Sequence, residues 1–253
     1  MDKNDIYGLI GYPLTHSFSK QYFENKFKKE GIKNAQYELF PLDSIEQLPS
    51  LIQQYPNLKG LNVTIPYKVS VMEYLDEIDE TATAVGAVNV IKIENGKLIG
   101  YNSDIYGFEQ SLLRFMDWKP QMTIEVEAFV LGTGGASKAV SYVLTKLGLP
   151  FFMVSRKETQ EFYPYFVLQD IFTASRKQKI VINTTPVGMS PNIEMSPKIP
   201  YKLLKNNDLC FDLIYNPEET AFMQKSKARG ARVQNGLEML HLQAERAWEI
   251  WNG

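Results

Sequence analysis

The sequence is poor in the side chains from which metal centres, disulfides and catalytic triads are usually built. Its 253 residues include one cysteine, Cys210, and two histidines, His16 and His241. A single cysteine excludes an intrachain disulfide and any metal site built from several cysteines. We interpret Cys210 as a small, buried apolar residue, and we expect no metal ion in the functional site.

The chain also lacks an excess of charge of either sign. It carries 27 Lys and Arg against 29 Asp and Glu, a formal net charge of −2. That balance provides no positive field of the kind that attracts nucleic acid or an anionic membrane surface. We therefore expect neither nucleic acid nor a membrane as a partner.

Long apolar runs are absent as well. The first residues form no basic segment followed by a long apolar run, and no later segment reaches the length of a membrane span. The cytoplasm is the location this predicts. With 44% hydrophobic and 22% charged residues, the chain has an ordinary globular composition, and its length suits one large or two smaller domains.

Short apolar runs alternate with helix-length amphipathic stretches from end to end, which predicts βα units around a mostly parallel sheet. The predicted strands are 6–11, 36–42, 58–66, 128–132 and 150–156, with strand-to-loop transitions at 179–189 and 208–217. The predicted helices are 19–30, 105–116, 136–147 and 237–252. The pair Asn95-Gly96 between two alternating runs predicts a β-hairpin. We expect an α/β protein with two lobes.

Two further segments carry signals for the start of a helix. Ser44 followed by Gln47 matches a capping box, in which each residue bonds the other's backbone N–H group. Asn216, Pro217 and Glu219 together predict a helix that begins at Asn216, with proline in the first helical position.

A glycine-rich loop, "VLGTGGAS", stands between a predicted strand and a predicted helix. Gly132 allows a tight turn, and Gly134 lets the backbone approach a pyrophosphate at the helix N-terminus. The third glycine of the usual fingerprint is replaced by Ser137. We predict nucleotide binding here, by Gly132, Thr133, Gly134, Gly135 and Ala136; the alternative is a plain strand-to-helix turn.

The next strand ends in Ser155, Arg156 and Lys157. A site for NAD would carry Asp or Glu at this point to accept a hydrogen bond from the ribose 2′-hydroxyl. A guanidinium instead binds a 2′-phosphate through two hydrogen bonds, so the segment favours NADP. A solvated basic turn is the alternative.

Polar side chains gather where other strands end. Asn62, Thr64 and Lys68 follow the third predicted strand, and Asn89, Asn102 and Asp104 follow within the next segments. Open α/β sheets bind ligands at the carboxyl ends of their strands, so these residues are candidates for a shared cleft. Each also has a structural alternative: Asn89 could satisfy nearby backbone, and Asp104 could cap the following helix.

Seven blocks of the sequence resemble the shikimate dehydrogenase family, in the family's order and at compatible spacing. They are "GYPLTHSFS", "GLNVTIPYK", "GAVNV…GYNSDIYGF", "VLGTGGASKA", "INTTPVGM", "DLIYNP" and "NGLEMLHLQA". The resemblance covers nearly the whole chain. It implies reversible, NADPH-dependent reduction of 3-dehydroshikimate to shikimate in chorismate and aromatic amino-acid biosynthesis.

The resemblance also implies roles for single residues. Lys68 and Asp104 would form the catalytic pair, and Ser17 and Ser19 would hold the substrate carboxylate with help from Tyr215. The residues implied to bind the ring hydroxyls are Asn62, Thr64, Asn89, Asp104 and Gln243. On the cofactor side, the resemblance adds Thr184, Leu213 and Gly236 to the glycine loop and the basic segment.

The implied architecture has a substrate-binding catalytic domain, residues 1–103, and a Rossmann-like NADP-binding domain, residues 104–236. The C-terminal helix, 237–253, is expected to pack back on the first domain, and a homodimer is a possible assembly. Lys20 departs from the family, which usually has proline there, and Ser155 and Lys157 replace the usual neighbours of Arg156.

Two alternatives remain open at this point. One is a quinate/shikimate dehydrogenase that prefers NAD, or a paralogue acting on a related cyclohexene carboxylate. The other is a sensor that binds quinate or shikimate without catalysis. Such a sensor is expected to have lost the Lys–Asp pair, whereas this chain keeps both residues.

Overall fold

The structure, a computed structural model, describes residues 4–14, 18–118, 125–157 and 159–253. It divides into two compact units, Met1–Ser103 with Ala244–Gly253, and Asp104–Gln243. Each unit is built around one six-stranded sheet, so the predicted α/β class with two lobes is confirmed. Among the helices of the described residues, none is long and apolar enough to cross a membrane.

Strands and helices alternate along most of the chain, as the apolar pattern predicts. The strands are β1 (Asp5–Gly11), β2 (Ala35–Pro41), β3 (Leu58–Val63), β4 (Glu77–Ile78), β5 (Val90–Glu94), β6 (Lys97–Tyr101), β7 (Val126–Leu131), β8 (Phe151–Ser155), β9 (Tyr163–Pro164), β10 (Gln178–Asn183), β11 (Leu209–Asp212) and β12 (Arg232–Gln234). The α-helices are α1 (Phe18–Glu30), α2 (Leu48–Gln54), α3 (Glu80–Val85), α4 (Ser103–Phe115), α5 (Gly135–Lys146), α6 (Leu168–Ala174), α7 (Ala221–Lys227) and α8 (Leu237–Asn252).

The first unit has a mixed sheet in the order β2-β1-β3-β5-β6-β4. Strand β1 pairs in parallel with both β2 and β3, and β5 and β6 form the predicted antiparallel hairpin. At its turn, Asn95 and Gly96 have φ angles of 52° and 79°. Both values fall in the left-handed region that a two-residue hairpin of this type requires.

Side chains along β3 point alternately to the two faces of this sheet. Leu61 and Val63 join one apolar core, together with Ile10 and Ile91. On the other face, a second core includes Tyr37 and residues from both α1 and the last turns of α8. This second core shows why the final residues of the chain belong to the first unit.

Trp251 of α8 packs directly over the sheet of the first unit. Its indole Nε1 donates a hydrogen bond to the Ile91 carbonyl oxygen at 3.0 Å. A Cβ added to Gly60 would lie 2.3 Å from the Trp251 ring, so only glycine allows this close approach.

The second unit has a sheet in which all strands run parallel, in the order β12-β11-β10-β7-β8-β9. From β7 the chain proceeds outward to β8 and β9, then returns to β10 and proceeds to β12 on the other side. The direction in which successive strands are added to the sheet therefore reverses between β7 and β10. Cys210 is fully buried in this unit, as expected, and burial raises the pKa of its thiol to about 12.

Neither predicted helix start is formed as the sequence suggests. The Ser44 side chain makes no capping bond at the short 3₁₀ turn that follows it, and the Gln47 amide oxygen accepts from the Asp43 N–H instead. The later helix begins at Ala221 rather than at Asn216, with Thr220 as its N-cap.

The reason for the later start lies in a buried contact. The Thr220 hydroxyl donates to the buried Asp212 carboxylate at 2.6 Å and accepts from the Met223 N–H at 3.3 Å. A buried carboxylate needs hydrogen-bond donors. This tertiary contact therefore places the cap at Thr220 and overrides the local signal at Asn216.

We predict that Gly60→Ala destabilises the protein by about 1–3 kcal/mol, because the added methyl group overpacks against the Trp251 ring. Urea denaturation followed by intrinsic fluorescence measures the change. Lys59→Ala, at the exposed neighbouring position of β3, is the control and is expected to change stability by less than about 0.5 kcal/mol. Equal stability of Gly60→Ala and the wild type would contradict the packing described.

Candidate active site

The parallel sheet of the second unit brings the predicted cofactor residues to one edge. Because all its strands run in the same direction, the segments that follow them emerge at their shared carboxyl ends. These segments carry Gly132–Ala136 after β7, Ser155–Lys157 around the end of β8, Thr184 after β10, Leu213 after β11 and Gly236 after β12. The glycine loop and Thr184 lie at the switch between β7 and β10, where open α/β sheets form their ligand crevice.

Gly132 needs to be glycine for two reasons. Its φ angle is 110°, a conformation that side chains with a Cβ rarely adopt. A Cβ would also lie 2.8 Å from the Thr185 methyl carbon and 2.9 Å from the Thr184 hydroxyl oxygen. The turn is therefore packed closely against the segment that follows β10.

The other glycines of the loop face open space. A Cβ on Gly134 or Gly135 would meet no atom within 4 Å. Ser137, which replaces the third glycine of the fingerprint, is 2% exposed, and its hydroxyl donates to the Gly134 carbonyl oxygen at 2.7 Å. The serine thus bonds within the loop and leaves room above the first turn of α5, where backbone N–H groups have no helical partner. The loop fits a pyrophosphate.

The basic segment lies in an exposed position beside the last strand of the sheet. Arg156 and Lys157 are exposed, and the Ser155 hydroxyl accepts from the Lys157 N–H at 3.2 Å. Strand β9 pairs with the end of β8, and the described residues between these two strands contain no helix. Burial raises the pKa of Tyr165, and the Arg156 charge opposes that shift.

Leu213 and Gly236 lie in direct backbone contact. The Leu213 N–H donates to the Asn183 carbonyl oxygen at 3.0 Å, and the Gly236 N–H donates to the Ile214 carbonyl oxygen at 3.0 Å. A Cβ on Gly236 would lie 2.1 Å from the Leu213 carbonyl oxygen, which excludes any other residue there without a backbone shift. The Thr184 hydroxyl donates to the Leu131 carbonyl oxygen at 2.7 Å and so ties its segment to β7.

Beneath these segments is a buried polar group that the sequence analysis missed. Asp212 is 0% exposed and accepts hydrogen bonds from the Thr220 hydroxyl at 2.6 Å, the Asn183 amide at 3.0 Å and the Ile214 N–H at 3.1 Å. Burial raises its pKa to about 6, against the opposing effect of these hydrogen bonds. Its signal in the sequence was a polar residue ending each of two apolar strands, "IVIN" and "LCFD".

In the first unit, one buried tyrosine lies beside two of the predicted substrate residues. The Tyr37 phenol donates to the Asn62 Oδ1 atom at 2.7 Å, and Ser19 of α1 lies close to the same phenol. Asn62 is 7% exposed and Tyr37 is 2% exposed. Ser17 lies outside the described residues. Tyr37 was not predicted from the sequence, because a tyrosine in an alternating strand is indistinguishable from an ordinary core aromatic.

Lys20, where the sequence departs from the family it resembles, forms an ion pair with Glu38. The Lys20 Nζ atom lies 3.0 Å from the Glu38 Oε2 atom, and both side chains are partly exposed. This contact gives the residue a partner on β2.

The segment that carries Thr64 and Lys68 is fixed by backbone hydrogen bonds. The Thr64 N–H donates to the Ile10 carbonyl oxygen at 3.0 Å, which continues the pairing of β3 with β1. The Lys68 carbonyl oxygen accepts from the Val88 N–H at 2.8 Å. Both side chains are half-buried.

Asn89 and Asn102 have well-defined structural contacts. The Asn89 Oδ1 atom accepts from the Ser103 N–H at 2.7 Å, and its amide donates to the Ser103 hydroxyl at 3.1 Å. The Asn102 amide donates to the Ala87 carbonyl oxygen at 2.9 Å. Asn89 therefore anchors the first residue of α4, the backbone role left open by the sequence.

Asp104, Tyr215 and Gln243 belong to the second unit. Asp104 is in the first turn of α4, and Tyr215 follows β11, is 39% exposed and has a pKa raised by burial. Gln243 is on α8, next to Gly107 of α4, where a Cβ would lie 3.0 Å from the Gln243 Cβ atom. The pairing of Asp104 with Lys68 stays a prediction.

Comparison with known proteins identifies relatives along nearly the whole chain. Residues 9–91 match the family described as the shikimate dehydrogenase substrate binding domain. A protein named shikimate dehydrogenase (NADP(+)) from Methanococcus maripaludis is 39% identical, with 99% of this chain and 92% of that protein covered. One of the same name from Clostridium beijerinckii is 41% identical, with 98% and 92% covered.

A solved structure has a similar fold. It is shikimate 5-dehydrogenase from Thermus thermophilus in complex with NADP(H) and shikimate, and it is 28% identical to this chain. The TM-score is 0.82, with 98% of this chain and 93% of that chain covered.

We predict that ionisation of Asp212 lowers the free energy of unfolding. Its pKa is raised from 3.8 to about 6 in the folded state, so the folded protein binds this proton more tightly than the unfolded chain does. Stability from this group is therefore lost as the pH rises, by about 1 kcal/mol between about pH 5 and about pH 7.5.

Urea denaturation at the two pH values tests this in the wild type and in Asp212→Asn, which keeps the shape of the side chain but does not ionise. The pH-dependent loss of stability is expected to be smaller in the variant by that amount. Parallel pH dependence in the two proteins would show that Asp212 does not titrate in this range.

Proposed function

The chain belongs to the shikimate dehydrogenase family, and on that basis we propose that it catalyses the reversible, NADPH-dependent reduction of 3-dehydroshikimate to shikimate. It is thus an oxidoreductase acting on a CH–OH group, in the pathway to chorismate and the aromatic amino acids. The observation that carries the proposal is 39% identity, over 99% of the chain, to a relative named as the NADP(+)-dependent enzyme.

NADP fits the edge of the second sheet. The glycine loop would hold the pyrophosphate with the N–H groups of the first turn of α5, where Gly134 and Gly135 leave open space. Arg156 would bind the 2′-phosphate, with Ser155 and Lys157 beside it. Thr184, Leu213 and Gly236 would line the nicotinamide half. When bound, the reduced cofactor supplies the hydride.

Hydride addition to a ketone places negative charge on the carbonyl oxygen, and a donor directed at that oxygen stabilises it. We assign this task to the Lys68 ammonium, which also gives the oxygen its proton. In the oxidation of shikimate, the lysine would accept that proton. Asp104 would keep Lys68 charged and oriented while accepting from a substrate hydroxyl.

The remaining substrate contacts follow from the chemistry of the ligand. The hydroxyls of Ser17, Ser19 and Tyr215 would donate to the carboxylate. Those residues proposed to bind the ring hydroxyls are Asn62, Thr64, Asn89, Asp104 and Gln243.

The proposed division of roles gives residues 1–103 to the substrate and residues 104–236 to the cofactor. The match of residues 9–91 to a substrate-binding domain supports the first assignment. Helix α8 contributes Gln243 to the substrate. A homodimer and a location in the cytoplasm stay predictions from the sequence.

The direct test is NADP⁺ reduction with shikimate, followed by the absorbance of NADPH. The same assay with NAD⁺ and with quinate separates this proposal from a quinate/shikimate dehydrogenase that prefers NAD. Binding of shikimate with no turnover of either cofactor would indicate a sensor and would overturn the proposal.

We expect Lys68→Ala to lower kcat by about 10²–10⁴, the usual effect of losing an acid–base group, with a smaller change in the KM for shikimate. Steady-state assays in the oxidative direction measure both constants. Lys59→Ala removes an exposed lysine from β3 and is expected to leave kcat unchanged. Turnover by Lys68→Ala close to that of the wild type would remove Lys68 from the mechanism.

We expect Arg156→Ala to raise the KM for NADPH by about tenfold or more and to leave the KM for NADH nearly unchanged, because only NADPH carries the 2′-phosphate. The kcat at saturating cofactor should change little. Arg229→Ala removes an exposed arginine elsewhere in the second unit and serves as the control. An equal change for both cofactors would contradict the assignment of Arg156.

A further inference from the structure

Tyr37 is hydrogen-bonded to Asn62, a proposed substrate residue, although it is itself buried away from solvent. Its ring stacks on Phe23 of α1, with the ring centroids 4.6 Å apart and the planes 13° from parallel. Phe23 is 0% exposed and Tyr37 is 2% exposed, so the ring is held between α1 and the sheet. The phenol oxygen is therefore in a fixed place.

The hydrogen bond between Tyr37 and Asn62 has a definite direction. A phenol has one proton, and here that proton goes to the Asn62 Oδ1 atom at 2.7 Å. Burial raises the pKa of Tyr37 above its ordinary value, so the phenol is protonated at neutral pH.

This direction determines which end of the Asn62 amide is turned away from Tyr37. An asparagine amide has an acceptor oxygen on one side and a donor NH₂ group on the other. With Oδ1 engaged by the phenol, the other side offers the NH₂ group. Without the phenol, the nearly symmetric amide could turn over and offer its oxygen instead.

We propose that Tyr37 is a positioning residue that orients the Asn62 amide so that its NH₂ group, and not its oxygen, meets the substrate. A substrate oxygen beside Asn62 is then recognised as a hydrogen-bond acceptor. The proposal rests on the proposed function, since it concerns recognition of shikimate at the same site.

A double-mutant cycle tests whether Tyr37 acts through Asn62. Tyr37→Phe is expected to raise the KM for shikimate about tenfold and to leave the KM for NADP⁺ unchanged. In the Asn62→Ala background the same substitution should change the KM for shikimate less than about twofold, because the amide it orients is gone. Independent effects that multiply in the double variant would overturn the proposal.

Tyr7→Phe is the matched control. Tyr7 is 3% exposed, belongs to the same aromatic core, and its hydroxyl donates to Asn252 rather than to a proposed substrate residue. It is expected to leave the KM for shikimate unchanged. A rise in KM equal to that of Tyr37→Phe would show a general effect of disturbing this core and would also overturn the proposal.

Asn62→Asp provides a test that does not disturb Tyr37. The carboxylate can still accept from the phenol, but it has no NH₂ group to offer. We expect it to weaken shikimate binding at least as much as Asn62→Ala, measured by isothermal titration calorimetry with shikimate. Binding as tight as in the wild type would show that the NH₂ group is not what the substrate meets.

The experiments distinguish failure of the proposed function from failure of the role proposed for Tyr37. A wild-type protein that does not turn over shikimate with NADP⁺ overturns the proposed function and this positioning role together. An active wild type whose KM for shikimate is unaffected by Tyr37→Phe overturns only the role of Tyr37.

Discussion

Parallel strand pairing is the constraint on which both candidate sites depend. In the second unit, every strand runs in one direction, so five separate segments carry their polar and glycine residues to a single edge. In the first unit, β1 and β3 run parallel, so the segment after β1 and the segment with Thr64 and Lys68 also emerge on one side. Residues distant in sequence become neighbours because the sheet allows no other exit for them.

Buried polar groups fix the positions of these exposed segments through hydrogen bonds. Asp212 links the ends of β10 and β11 to the start of α7, and Tyr37 stacks on Phe23 of α1 and donates to Asn62 of β3. Burying such groups costs free energy unless their hydrogen bonds are satisfied. That requirement restricts the conformations available to the neighbouring segments of the chain. The precision of each site therefore depends on side chains that no ligand would touch.

The sequence predicts what local chemistry determines and misses what distant contacts determine. Asn95-Gly96 gave the hairpin correctly, because the backbone angles of those two residues suffice. The helix predicted to begin at Asn216 begins later, because Thr220 is hydrogen-bonded to the buried Asp212 carboxylate and serves as the N-cap. Tyr37 gave no signal, since its partner Asn62 lies 25 residues away and its role follows only from that contact. The residue roles carried over from the family likewise stay predictions, although the structure explains their placement.

The position of Trp251 has a consequence for how the protein is made. Residues 244–253 complete the core of a unit whose other part is residues 1–103, and the whole second unit lies between them in the chain. A ribosome therefore exposes the complete second unit before it releases the last piece of the first. Until residues 244–253 are made, part of the apolar surface of the first unit stays uncovered, and such surface is prone to aggregation.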